Sequence, residues 1–425
     1  MKCGMYELDI TPALGYEIPG YFEVRIADGI REKLYTHAAY FEDDNEKRIV
    51  IISTDGLQIP DSVNEIVRPQ IAEKLNMDIS GVLTCATHIH TGGPLYSWDI
   101  FSHTDETYLN FLASRMVDVA ILSQREKRSV TIGYTKGYDD SIAHYRDFVM
   151  NDGTYRTNPG IGDNKKAFGK IDPDVNVIRI DNVSGGRYGA IVGYTCHTDC
   201  VAGTWYSSDF PGAMKETLRK LYGCDFMPMF VNGFFGNINH IDFEKSSHRV
   251  PGYYKSMGRR LAAEASRAME FAELKTDIEL NMISETIKIP TKEPDKELLA
   301  WADKIFKDYD NASVDDRHFA SEARHIKKMG AQNIDIVMQV VRIGDLIIFA
   351  SPREMYVEFQ LMLKEKSPSA QTMCIGLANG PCGYVPIREL VQPGIYEARL
   401  NRDRLIDEAG YIMVDKLLKL AQLIR

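Results

Sequence analysis

The stretch TCATHIHTGGP (84–94) sets His88 and His90 one residue apart at the end of an apolar run, in a chain with ten histidines among 425 residues. If the strand predicted by GVLTCA (81–86) runs on through Thr87, both imidazoles leave the same face. Two imidazoles on one face at a strand end make half of a metal site. The pair reads equally as two hydrogen-bonded core histidines. The pattern then recurs. AIVGYTCHTD carries His197, LIIFASPREM carries Arg353 and Glu354, and CIGLANGPCGYVP carries Tyr384 just past a glycine-rich turn. VNGFFGNINHID adds a polar loop from Asn237 to Asn239. Each group alone has a structural reading: a satisfied buried His197, a Glu354 that favours a helix N-terminus, packing roles for Tyr384 and Tyr396, a surface ion pair for Arg146. Several strand ends bearing His, His, Glu and Tyr argue together for a site, because catalytic groups collect on loops at the strand ends of α/β scaffolds.

The elements that must position these groups are short apolar strands alternating with amphipathic helices. Strands are predicted at 48–54, 81–86, 175–181, 190–196, 226–232, 336–344, 346–351 and 372–378, many bounded by Gly, Asp or Pro. Gly344-Asp345 predicts a tight hairpin turn. Helices are predicted at 62–75, 107–122, 212–223, 252–272, 295–309, 316–330 and 403–424, from apolar residues at three- and four-residue intervals. Pro69 is expected to kink or shorten the first. Strands and helices intermix throughout, which predicts an α/β or mixed α+β core, with mixed β-sheets flanked by helices. No linker divides the chain, so one domain over 1–425 is expected, with a helical insertion at the more charged stretch 273–335.

Composition narrows the function classes. With 44% hydrophobic and 26% charged residues the chain is an ordinary globular protein, large enough for a sizeable core. A net charge of -10 and a pI near 5.6 give no footprint for nucleic acid. No run approaches the roughly 18 apolar residues that span a bilayer, and MKCGMYELDITP lacks the apolar core of a signal peptide. A cytoplasmic location is expected. The seven cysteines are odd in number and scattered, so they set no disulfide framework. Cys196 and Cys200 lack the second closely spaced cysteine pair that a thiolate zinc site would need.

From about Asp9 to Arg399 the chain resembles the catalytic domain of the neutral (alkaline, non-lysosomal) ceramidases, in a short, bacterial-type form. DITPALG (9–15) is similar to the family's opening motif, and ATHIHTGGP (86–94) to its G/A-T-H-T-H-S-G-P. RDFVMNDGTYRTNP (146–159), IDPDVNVIRID (171–181), CHTDCVAGTWYSSDFPG (196–212), FFGNINH (234–240), SPREM (351–355) and GYVPIRELVQPGIYEA (383–398) follow in the family's order. Departures are Asn237 for an aspartate, His240 for a proline, and Ile387, Leu390 and Val391 in the T-x-E-E-Y element, of which Glu389 survives. No counterpart of the C-terminal immunoglobulin-like domain of longer relatives is expected.

The resemblance implies a ceramidase-like fold and a zinc-dependent amide hydrolase of lipid metabolism, acting on an N-acylsphingosine-like bond through metal-activated water. His88, His197, Glu354 and Tyr384 match the family's Zn2+ ligands, a donor set that suits a borderline cation. His90, Arg146 and Tyr396 match residues around the reacting amide. Arg146 and Tyr396 would stabilise the oxyanion, and His90 would protonate the leaving nitrogen. Asp199 or Asp209 would orient a ligand histidine. The expected partner is a small-molecule or lipid-like substrate, without nucleic acid. Two alternatives stay open: the same metal centre hydrolysing another small amide, ester or lactone, and a non-catalytic binding relative. A short polar pocket fed by Trp205, Tyr206 and His240 would favour the first of these.

Overall fold

The computed structural model of the chain describes residues 1–98, 101–162, 165–243, 250–401 and 404–424. Eight strands form one mixed sheet: β1 (Lys2–Asp9), β2 (Tyr35–Glu42), β3 (Arg48–Thr54), β4 (Val82–Ala86), β5 (Arg128–Tyr138), β6 (Asp174–Asn182), β7 (Arg187–Tyr194) and β8 (Met227–Asn232). Their spatial order is β8-β7-β6-β5-β1-β2-β3-β4, antiparallel except for the parallel pairs β3–β4 and β7–β8. A second sheet runs β9 (Leu280–Pro290), β10 (Asn333–Ile343), β11 (Leu346–Ala350), β12 (Thr372–Ile375) in that order, its last pair parallel.

Alternation along the strands explains the layering. Ala39, Phe41, Ile49 and Ile51 join Val341, Ile343 and Ile348 in a core between the two sheets. Ala38, Tyr40, Val50 and Ile52 face the other way, onto the helices α1 (Asp61–Lys74) and α2 (Glu106–Arg125). Val175, Val177, Ala190 and Val192 pack on α3 (Asp209–Tyr222) and α4 (Tyr253–Met269). The outer face of the second sheet, through Ile336, Met338 and Val340, packs on α7 (Val357–Lys366) and α8 (Ala409–Leu423). Each fully buried Ile, Leu or Phe of these layers contributes about 1.5–3 kcal/mol over an exposed one.

The eight-stranded sheet curls until its edges approach. β8 lies against β3 and β4, and Ser53 Oγ donates to the Phe230 carbonyl at 2.6 Å. This curl carries the loop after β4 beside the loop after β7, where Ile89 and Thr198 form a β-bridge. Distant segments of sequence therefore end at one place.

Several expectations are corrected. β1, β2, β5 and β9 were not among the predicted strands. The stretch 273–335 is not a purely helical insertion. It begins with β9, which pairs along its whole length with β10, from Leu280 opposite Ile343 to Pro290 opposite Asn333. Only α5 (Lys296–Lys307) and α6 (Val314–Met329) form a helical hairpin there. α1 runs on through Pro69, which sits on the exposed side of the helix where water can satisfy the freed carbonyl. The tail is helical over Ala409–Leu423, with residues 404–408 outside the helix; the expected start at 403 lies outside the described residues. The two-residue hairpin at Gly344-Asp345 joins β10 to β11, with Gly344 at φ 60°. Among the described residues no helix is long and apolar enough to cross a membrane.

Candidate metal centre

Five strand ends deliver the site. β4 leads to His88 and His90, β7 to His197, β8 to Phe235, β11 to Glu354, and β12 to Tyr384. The last two meet in a short parallel ladder, Glu354 beside Tyr384 and Met355 beside Val385. β4 ends at Ala86, so a continuing strand is not what aligns the two histidines. His88 adopts φ 66°, a left-handed conformation costing about 1–2 kcal/mol for a residue with a Cβ. Two hydrogen bonds hold it there: its N–H donates to Gly56 O at 2.9 Å, and its Nδ1 lies 2.8 Å from Leu57 O. A strained turn fixed this firmly is a mark of a functional position.

The other imidazoles are tethered in the same way. His197 Nδ1 lies 3.1 Å from Phe235 O, and His90 Nδ1 lies 3.1 Å from Gly20 O. A carbonyl oxygen only accepts, so in all three rings Nδ1 carries the proton and Nε2 of the neutral ring is bare. Burial pushes the His197 imidazole down to about 4 and the His90 imidazole well below its ordinary value, which keeps both neutral near pH 7.

The three Nε2 atoms turn toward one another. Those of His90 and His88 are 3.3 Å apart, and the three rings present ligand atoms that all fall within 4.8 Å of one another. Glu354 completes the group, with Oε2 3.4 Å from His88 Nε2 and 3.3 Å from His197 Nε2. Oε1 accepts the Gly383 N–H at 3.2 Å, while Oε2 is buried with no hydrogen-bond partner. The Tyr384 hydroxyl stands 3.4 Å from His197 Nε2. Imidazole nitrogens facing a buried carboxylate oxygen that has no hydrogen-bond partner form the donor set of a cation. The residues fit a divalent metal.

Arg146 flanks the group. One guanidinium nitrogen is 3.5 Å from His197 Nε2, another donates to Gly236 O at 2.6 Å, and Nε pairs with Glu397 Oε1 at 2.6 Å. Tyr396 lines the same cavity, its ring centroid 5.8 Å from that of Tyr384. Burial pushes both phenols up, so each keeps its proton. Thr157 Oγ1 lies 2.7 Å from Asp147 Oδ1 and 2.7 Å from Glu397 Oε2, and it accepts the Tyr396 N–H at 3.0 Å. Burial, then the Glu397 charge, push the Asp147 carboxyl well above the carboxylate range, and the Thr157 hydroxyl is shared between the two buried acids.

All seven residues singled out from sequence are thus brought together. The expected orienting role of Asp199 and Asp209 is not borne out. Asp199 Oδ1 lies 3.1 Å from His240 Nδ1, and Asp209 accepts the Val201 N–H at 2.8 Å. Backbone carbonyls orient the imidazoles in their place. Trp205 packs beside Gly29 and Arg31, Tyr206 donates to Ala13 O at 3.0 Å, and neither they nor His240 line the cavity. Sequence reasoning missed Glu397, although it adjoins Tyr396, and missed the carbonyls of Gly20, Leu57 and Phe235, which leave no side-chain signal.

This backbone also superposes on known structures. A neutral ceramidase from Pseudomonas aeruginosa matches at a TM-score of 0.75 and 17% identity, over 99% of this chain and 74% of that one. The fold is that of the neutral ceramidases. A structure described as a ceramidase complexed with C2 matches at 0.75 and 16% identity, over the same 99% and 74%. No protein-family model matches the sequence, and no curated protein matches it. The ceramidase-like fold is accordingly seen in the backbone, with little sequence in common.

Proposed function

We propose that this protein is a metal-dependent hydrolase of the neutral ceramidase type, cleaving an acyl amide. The observation that carries the reading is the meeting of the bare Nε2 atoms of His88 and His197 with the partnerless Oε2 of Glu354. The ceramidase-like fold supports it. Zinc is the cation proposed, held by His88, His197, Glu354 and Tyr384. When bound, it supplies Lewis acidity and lowers the pKa of a water from about 15.7 to about 7.

The chain's own residues do the rest. His90, with Nδ1–H tied to Gly20, takes a proton at Nε2 and delivers it to the leaving nitrogen. Arg146 and the Tyr396 hydroxyl donate to the carbonyl oxygen as charge develops on it. Glu397 and the Gly236 carbonyl set the angle of the guanidinium. The Phe235 ring, 4.7 Å from the His88 ring and 4.9 Å from the His197 ring, keeps water from the back of the imidazoles.

The substrate is either an N-acylsphingosine-like lipid or a smaller amide, ester or lactone. The second is favoured by the cavity, which is small, about 80 Å³, and walled in part by the rings of Tyr96, Trp98, Phe319 and Tyr396. The test pairs metal analysis with hydrolysis of a short-chain fluorescent ceramide and of a panel of small amides and esters. Metal-dependent turnover that vanishes in His88→Ala supports the reading. Absence of metal, or turnover untouched by His88→Ala, sinks it.

A further inference from the structure

The walls of the cavity speak to the size of what enters it. An unbroken series of rings leads outward from the metal centre. Tyr384 lies near-parallel to His197 at 6.3 Å and meets Tyr396 at 5.8 Å. Tyr396 in turn meets Phe22 and Phe319, each at 6.2 Å. Phe22 packs on Trp98 at 4.2 Å, and Trp98 Nε1 donates to His318 Nε2 at 3.0 Å.

His318 and Phe319 belong to α6, the second helix of the hairpin that interrupts the second sheet. The hairpin has its own small core, with Ala302, Ala320 and Ala323 at the centre. α6 is pinned over the cavity from two sides. Trp98 holds His318, and Arg399 grips its first turn, reaching Asp315 at 3.0 Å and Asp316 at 2.8 Å. The same guanidinium covers the Phe319 ring at 3.9 Å. The outer end of the cavity is therefore capped by a helix whose rings are already packed on other rings. The space is small, about 80 Å³, and its walls combine the rings of Tyr96, Trp98, Phe319, Tyr384 and Tyr396 with the polar groups of His88, His90, Glu354 and Arg399, a character that suits one compact molecule. An alkyl chain entering past Tyr396 meets Phe319 and His318, both buried.

Resting on the hydrolase reading, we propose that this site takes compact acyl compounds whose acyl group is a single flat ring, and that the α6 cap excludes long alkyl chains. Flat rings stack on rings that are already fixed, and so lose little conformational freedom on binding. A long chain enters only if α6 is displaced.

Binding separates this inference from the catalytic one. Trp98 lies in the wall, so its fluorescence reports occupancy, and Trp98→Phe supplies the blank for Trp205 and Trp301. N-benzoylglycine and N-decanoylglycine, which share one leaving group, are titrated into the zinc-loaded protein below the micellar threshold. N-benzoylglycine is expected to bind at least tenfold more tightly. In Phe319→Ala and His318→Ala the ratio should fall at least threefold as the cap opens. Equal or tighter binding of the decanoyl compound by the wild-type protein overturns the inference, as does failure of both to bind. Ring-selective binding without hydrolysis of either compound supports the inference while counting against the hydrolase reading.

Discussion

Arg146 Nε and Glu397 Oε1 stand 2.6 Å apart, both residues buried at the edge of the imidazole cluster. The pair fixes a guanidinium whose remaining nitrogens reach Gly236 O and the vicinity of His197. A lysine carries the charge without the fork. Arg146→Lys is expected to lower kcat by about 10²–10³-fold, the usual consequence of losing one oxyanion donor. Metal content should stay unchanged. The check is kcat measured beside metal analysis on the same preparation.

Gly20 is the backbone anchor of His90. It has φ 115°, and a Cβ there would lie 2.7 Å from His90 Nδ1. Gly20→Ala is expected to turn the imidazole away, lowering kcat/KM at least tenfold while metal remains bound. It should also destabilise the fold by about 1–2 kcal/mol through backbone strain. Denaturant titration and steady-state kinetics on one variant read both effects.

A buried ion pair backs the segment that holds His88. Lys215 Nζ lies 2.9 Å from Asp55 Oδ2 and 2.9 Å from His37 Nε2. The next two residues, Gly56 and Leu57, supply the carbonyls that fix His88. Removing one partner leaves a buried charge, so Lys215→Met should cost about 3–5 kcal/mol. Lys215→Met with Asp55→Leu should recover part of that stability. Activity should stay low, because Asp55 also accepts the Tyr35 N–H at 3.1 Å and steadies the turn. Equilibrium unfolding of the single and double variants tests this.

Acid stability has a named contributor. Burial alone would raise the Glu7 carboxyl, but His37 and Arg219 outweigh it and hold it at about 2. The unfolded chain protonates Glu7 near 4.5, so the unfolded state binds more protons between those values. Glu7 therefore contributes its full stabilisation above pH 4.5, and loses it as pH falls toward 2. The contribution is about 1–3 kcal/mol after allowing for partial exposure. The stability difference between the wild-type protein and Glu7→Gln should shrink across that window, as followed by urea unfolding at stepped pH.

Much of the site was legible because its side chains follow apolar runs at strand ends. His88, His197, Glu354 and Tyr384 each sit just past one. The hairpin at Gly344-Asp345 was legible because a two-residue turn demands a residue with positive φ. The missed strands had weaker patterns. β1 mixes Lys2, Glu7 and Asp9 into its eight residues, and β9 is largely half-exposed, in a stretch whose charge resembles helix surface. The convergence of His88 with His90 came from a left-handed turn, which strand periodicity does not foresee. Neither the curl of the large sheet nor the carbonyls that orient the imidazoles have a signature in residue types.

The central claim is that the side chains around His88 hold one divalent ion. The most direct measurement is calorimetric titration of metal-stripped protein with zinc, repeated on Glu354→Gln and His88→Ala. One equivalent should bind to the wild-type chain. Each variant should lose affinity by at least the roughly 10–100-fold that follows loss of an outer partner alone. No saturable binding to the folded wild-type protein, or equal binding in both variants, would contradict the account.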